Sequence, residues 1–163
     1  MILRPALPEE EPALSHLLTS AFLDYVRGLG RETPGPYDWL PDRIGAGDIH
    51  VAVTPDSAQI LGMLALSWDA ADQTLVVDLL AVDPERQGRG TGRALLAHAE
   101  DIARSQDARA LRLHTAARYD HLLRLYTGAG FAITHFGPRP KGDDDGHQRA
   151  FLRKPLSSGT SAA

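Results

Sequence analysis

Apolar and polar positions change their period several times along this chain, and each change marks an element. Ile2-Leu3-Arg4-Pro5-Ala6 is short and mixed, as a brief first strand would be. Pro8 to Phe22 carries acidic residues in its first turn and Leu14, Leu17, Leu18 and Phe22 at helical spacing, which predicts a helix. Gly28, Gly30, Pro34, Gly35 and Pro36 then break the pattern into a loop, with room for a short helix around Tyr37 to Ile44. Ile49 to Val53 and Gln59 to Trp68 read as strands separated by a Pro55-Asp56 turn, and Asp69 to Gln73 is a second turn. Leu75 to Val82 follows as a nearly continuous apolar run broken by Asp78, the pattern of a central strand buried on both faces. Three consecutive strands here predict an antiparallel meander.

Arg93 to Arg104 returns to helical spacing, with Leu95, Leu96, Ala99, Ile102 and Ala103 on one side and Glu100 and Arg104 placed to pair. Ala110 to Thr115 alternates Leu111 and Leu113 against Arg112 and His114, as a strand does. Asp120 to Thr127 is helical, ended by Gly128 or Gly130. Phe131 to Phe136 and Gln148 to Arg153 read as closing strands joined by a polar loop. The resulting order is a strand, helices, three or four antiparallel strands, a helix, a strand, a helix and two strands. Residues 1–156 form one expected domain, and the small, polar stretch 157–163 is expected to be a disordered tail.

Composition narrows the chemistry. The chain has no cysteine, which excludes disulfides, thiolate metal sites and a cysteine nucleophile. A formal charge of −4 with no dominant basic patch argues against a nucleic-acid footprint and mildly suits a cationic partner. No apolar run reaches the roughly 18 residues of a membrane span, and the start lacks the basic flank and apolar length of a signal peptide, so a cytoplasmic setting is the expectation. The seven histidines show no zinc-like spacing; His114 and His121 either flank a cleft or, the better reading for each, are solvated or partly buried, with His114 the one of interest.

Between the apolar run and the following helix lies Arg86-Gln87-Gly88-Arg89-Gly90-Thr91-Gly92. A strand that stops at a glycine-rich turn and restarts as a helix aims several free N–H groups, and the positive end of the helix dipole, at one spot. A phosphate or pyrophosphate is the natural occupant. A dinucleotide fingerprint would need a third glycine where Arg93 stands, and the Gly-Lys-Ser/Thr ending of a P-loop is absent. Nucleotide hydrolysis and dinucleotide oxidoreduction are therefore poorly supported.

Gln87-Gly88-Arg89-Gly90-Thr91-Gly92, preceded by Val82-Asp83-Pro84-Glu85, resembles the acyl-CoA-binding turn of the GNAT superfamily of acyl-CoA-dependent N-acyltransferases. Leu125-Tyr126-Thr127-Gly128-Ala129-Gly130-Phe131 is similar to that family's later Leu-Tyr-x-x-x-Gly-Phe signature. The resemblance implies a mixed α/β fold, with a mainly antiparallel central sheet flanked by helices, which the order of elements matches. It also implies an acetyl-CoA-dependent N-acetyltransferase with acetyl-CoA as co-substrate and a primary amine of a small molecule or peptide as acceptor. A homodimer through the C-terminal strands is a further family-level implication. With no cysteine to carry the acyl group, direct transfer in a ternary complex is the simpler route.

Backbone amides of Gln87, Gly88, Arg89, Gly90, Thr91, Gly92 and Arg93 would face the CoA pyrophosphate, and the resemblance adds the β-strand backbone of Leu80, Ala81 and Val82 to the cofactor contacts. It places an N–H near Leu80 against the acyl oxygen. Tyr126 would donate a proton to the leaving CoA thiolate; a phenol with a reference pKa of about 10 suits a thiolate of similar basicity. Asp78, odd in its apolar strand, either relays the proton that the acceptor amine must lose or serves as a structural carboxylate. Tyr119 stands where many relatives have an asparagine on the pantetheine arm, so that it stacks there or the contact is missing. Gly128 stands where a charged residue is commoner. Asp143-Asp144-Asp145-Gly146 attracts a cationic acceptor or, more blandly, forms a polar turn, and Tyr37, Trp39 and Trp68 line the acceptor pocket or belong to the core. A catalytically silent acyl-CoA-binding or sensing module on the same fold is the alternative function.

Overall fold

The computed structural model describes residues 1–157. The expected disordered tail, Ser157 apart, lies outside the described residues. Strands β1 (Ile2–Pro5), β2 (Ile49–Val53), β3 (Ile60–Asp69), β4 (Thr74–Val82), β5 (Ala110–Ala116), β6 (Ala132–Gly137) and β7 (Arg149–Pro155) pair in the order β1-β2-β3-β4-β5-β7-β6. The helices are α1 (Glu11–Arg27), α2 (Leu40–Gly45), α3 (Thr91–Ser105) and α4 (Asp120–Gly128). β1/β2, β2/β3, β5/β7 and β6/β7 run antiparallel, whereas β4/β5 is parallel. This is the mixed, mainly antiparallel α/β sheet that the family resemblance implies and the order of elements matches. Among the described residues, no helix is long and apolar enough to cross a membrane.

The chain forms two compact units, and β3 and β4 contribute to both. The first comprises residues 1–66 and 79–95. Its core joins Leu14, Leu17 and Leu18 of α1, Leu40 and Ile44 of α2, Ile49, Val51 and Val53 of β2, Met63 and Ala65 of β3, and Ala81 of β4. Tyr37 and Trp39 are partly buried against that cluster, and their two rings meet edge to face at 5.9 Å. α1 runs well past Phe22 because no breaker precedes Gly28 and Val26 is buried at 3% exposure. The chain enters α1 through Glu10, whose carboxylate accepts two hydrogen bonds from Arg4 (2.8 and 2.9 Å) and one from the Leu7 N–H (2.8 Å). The Arg4 hydrogen bond is the main reason that the Glu10 carboxyl is held below its usual range.

The second unit comprises residues 67–78 and the chain from residue 96 onward. Leu111, Leu113, Leu152, Ala150, Leu75 and Val77 are buried there. Charged side chains tie the β3–β4 turn to β5 and β7: Arg112 pairs with Asp69, while Asp72 accepts from Arg153 (2.7 Å) and from Thr74 Oγ1 (2.6 Å). Lys154 of β7 donates to Glu100 of α3 (2.7 Å) and to the Ala129 carbonyl at the end of α4 (2.9 Å). A cation at a helix C-terminus satisfies orphan carbonyls and opposes the helix dipole. Gly130, with φ +99°, turns the chain there, and a Cβ on it would lie 3.0 Å from the Lys154 side chain.

β4 departs from the expectation of burial on both faces. Leu75, Val77 and Ala81 are buried, whereas Asp78 is exposed and Val76, Leu80 and Val82 are half-buried. The reason is pairing: the β4–β5 ladder covers Thr74–Val76 against Ala110–Arg112, and among the described residues no further pair follows although both strands continue. The Asp143–Asp145 run is a structured turn. Asp144 accepts from the Gly146 N–H, and Asp145 accepts from the buried Arg149 guanidinium through its two terminal nitrogens (3.2 and 2.8 Å). Arg149 holds the Asp145 carboxyl down at about 2. Because the folded state favours the ionised form, this pair supports the turn above the ordinary carboxylate range and its support is lost as pH falls through about 2. An NMR titration should find the Asp145 midpoint near 2, and in Arg149→Gln it should move up toward the ordinary range. An unmoved midpoint would assign the depression to the turn's N–H groups instead.

Candidate active site

Within the first unit, β4 ends at Val82 and a short 3-10 turn, Pro84–Arg86, follows. Asp83 caps it by accepting the Glu85 N–H at 3.0 Å and lies 3.7 Å from Arg86. Gly88 and Gly90 have φ of +80° and +85°, which favour glycine, and nothing lies within 4 Å of a Cβ built on either. α3 begins at Thr91, and its first helical bond here runs from the Ala94 N–H to the Gly90 carbonyl at 2.9 Å. The amides of Thr91, Gly92 and Arg93 therefore belong to the first turn, where N–H groups have no intrahelical partner. Thr91 is buried at 3% exposure, while Gln87, Gly88, Arg89, Gly90 and Arg93 are exposed. Leu80 and Val82 are half-buried and Ala81 is buried, on the strand that feeds the turn. Open space in front of two left-handed glycines, a helix N-terminus and arginines on the same stretch fit a pyrophosphate.

The second unit holds the other candidates. Asp78 is exposed and accepts a hydrogen bond from Ser67 Oγ at 3.1 Å. His114 lies one strand over, on β5, opposite Phe151 of β7, with ring centroids 5.6 Å apart. Phe151 in turn stacks on His135 of β6 at 4.3 Å and 5°. Desolvation is the first cause that holds His114 below the ordinary imidazole value; Arg149, Lys141 and Arg139 add to it, and Asp78 pulls the other way. The residue keeps exposed surface, so its desolvation is partial. Tyr126, on α4, is buried at 7% exposure with its ring edge-on to Phe131 at 6.1 Å. Tyr119 is the N-cap of α4, half-buried, with the Arg118 guanidinium 5.7 Å from its ring centre and the His121 ring at 6.0 Å. Trp68 is exposed at 43%.

Sequence reasoning missed two residues that support these elements. Lys154 anchors the end of the helix that carries Tyr126, and a lone lysine in a closing strand carries no signal of that. Gly62 lies beneath the start of α3, and the signal available was a glycine inside an apolar strand.

The chain matches the Acetyltransferase (GNAT) family over residues 12–131. It is 35% identical to streptothricin acetyltransferase of Streptomyces lavendulae over 83 residues, which cover 51% of this chain and 43% of that protein. It is 36% identical to mycothiol acetyltransferase of Cellulomonas flavigena over 124 residues, 72% of this chain and 33% of that protein. The match thus spans less than half the length of either relative. The crystal structure of nourseothricin acetyltransferase superposes with a TM-score of 0.69 at 22% identity, covering 94% of this chain and 97% of that one, which shows the same fold.

An aspartate at position 90 meets open space, yet it is strained by the φ of +85° and sets a carboxylate against the expected diphosphate. In calorimetric titrations, the unmodified chain should bind acetyl-CoA and neither NAD nor ATP, and Gly90→Asp should lose at least about 100-fold in affinity, an aimed like charge being worth several kcal/mol. Equal affinity in a folded Gly90→Asp chain would remove this turn from the binding site.

Proposed function

We propose that this chain, which belongs to the Acetyltransferase (GNAT) family, transfers the acetyl group of acetyl-CoA directly to a primary amine of a small molecule or peptide within a ternary complex. The observation that carries the reading is the strand-to-helix turn at residues 83–93, with its left-handed Gly88 and Gly90 facing open space. Residues 1–156 act as the one catalytic domain in this proposal. The names of the two relatives, which act on different acceptors, support amine acetylation as a class.

The chemistry divides among few groups. Amides of residues 87–93 hold the pyrophosphate, and the backbone of Leu80, Ala81 and Val82 runs beside the pantetheine and thioester. The acceptor amine gives up a proton, through water, to Asp78, whose exposed carboxylate is held by Ser67. The neutral nitrogen adds to the thioester carbonyl, and the resulting oxyanion is met by a β4 amide near Leu80. Collapse breaks the carbon–sulfur bond, Tyr126 protonates the departing CoA thiolate, and the excess proton left on the amide nitrogen passes through water to the Tyr126 phenolate. Tyr119, as the N-cap of α4, takes the place on the pantetheine arm that relatives give to asparagine. A chain without cysteine has no thiol on which the acetyl group can pause, which favours direct transfer.

Tyr126→Phe keeps the ring and its contact with Phe131. It should lower kcat by about 10²–10⁴-fold, read as released thiol, with acetyl-CoA affinity within about threefold. Full turnover would return Tyr126 to packing alone. For Asp78→Asn, kcat/KM should fall by about 10²-fold and the acidic limb of the pH–rate profile should shift to higher pH, since the amine must then lose its proton unaided. An acidic limb unchanged from that of the unmodified chain argues for a structural carboxylate.

A further inference from the structure

Nothing packs on the middle of the glycine turn: a Cβ at Gly88 or Gly90 would meet no atom within 4 Å. The turn is held at its two ends. At the first, the Asp83 N–H donates to the Leu61 carbonyl at 2.9 Å. At the second, Thr91 and Leu95, buried in the first two turns of α3, lie directly over Gly62. Both anchors are therefore consecutive residues of β3.

Gly62 has no left-handed backbone to accommodate, so an alanine would adopt its conformation without strain. What its neighbours exclude is the side chain. A Cβ on Gly62 would stand 2.8 Å from the Ala81 carbonyl oxygen, 3.0 Å from Leu95 Cδ1 and 3.1 Å from Thr91 Cγ2. The first of these is backbone and cannot rotate away; the other two belong to a close-packed helix start. A glycine weakens a strand interior, so its presence there marks a close approach.

We infer that Gly62 is a positioning residue for cofactor binding: by lacking a side chain it lets the first turn of α3 settle onto β3 and β4, which sets where the amides of residues 91–93 point. The inference rests on the acetyl-CoA reading of the turn. A methyl group here lifts Thr91 and Leu95 or displaces Ala81, and either movement misaims donors that act over hydrogen-bond distances. Overpacking of this kind is a local strain, which binding of the pyrophosphate must then work against.

The test is Gly62→Ala, followed by calorimetry with acetyl-CoA and by steady-state kinetics. The expected result is a roughly 10-fold weaker acetyl-CoA Kd and a matching rise in its KM, with kcat at saturating acetyl-CoA and the KM of the amine within about twofold. Adding Leu95→Val, which removes one of the three clashing atoms, should recover part of the lost affinity. If Gly62→Ala does not fold, the Gly62→Ala/Leu95→Val chain takes its place, with a Kd still about threefold or more above that of the unmodified protein. A lowered melting temperature with unchanged acetyl-CoA Kd and KM would overturn the inference and leave the acetyltransferase reading standing. Failure of the unmodified chain to bind acetyl-CoA would overturn both.

Discussion

Two parallel neighbours cannot be joined by a hairpin, and β4 and β5 are such a pair. The connection has to leave the C-terminal end of one strand, travel back and enter the N-terminal end of the next, which takes a dozen residues or more and is usually a helix. That topological demand puts a strand end, a turn and the N-terminus of α3 in succession. Donors accumulate there because a helix start leaves its first amides unpaired, not because any side chain is specialised for anions. The same ladder stops after Val76 and Arg112. Beyond those residues, backbone groups of Val77 and Asp78 on one strand and of Leu113 to Thr115 on the other lie outside the β4–β5 pairing, and their hydrogen-bonding capacity has to be met elsewhere.

Charge in this protein is mostly spent locally. The net value of −4 and the run Asp143-Asp144-Asp145 suggest an attraction for cations, yet Asp144 and Asp145 are committed to the turn they form and to Arg149. The groups that act on His114 are Arg149, Lys141 and Arg139 on one side of the balance and Asp78 on the other. A count of acidic residues gives the wrong picture of such a surface, because an aspartate that accepts two N–H bonds from an arginine presents little net field to a visitor.

Periodicity carried most of the fold. Every strand and helix expected from alternation or helical spacing is present, displaced by a few residues at its ends, and the mixed sheet follows from their order. The glycine turn was legible because backbone chemistry needs small residues at fixed places. Three things were not. α1 extends through Tyr25 and Val26, since helix ends depend on where a breaker such as Gly28 meets a buried face. The exposure of Asp78 and the half-burial of Leu80 reflect where the β4–β5 ladder stops, and pairing is a long-range property with no local signature. Gly62 looked like any strand glycine until the atoms above it were known. Roles for Tyr126, Tyr119 and Asp78 came from family resemblance; what the structure adds is burial at Tyr126, a helix cap at Tyr119 and a Ser67 partner at Asp78.

The chain contains two lysines, Lys141 and Lys154. Lys154 donates both to the Glu100 carboxylate and to the Ala129 carbonyl, and an ammonium engaged as a donor has no lone pair to offer an electrophile. On the proposed acetyl-transfer reading the protein's own amines meet activated acyl groups, and arginine, which makes up all the remaining strong cations here, does not lose its charge and is a poor acyl acceptor. On that reading, the strut that closes α4 also withholds the Lys154 amine from acylation. Lys141, exposed in the β6–β7 loop, is the side-chain amine left open to it.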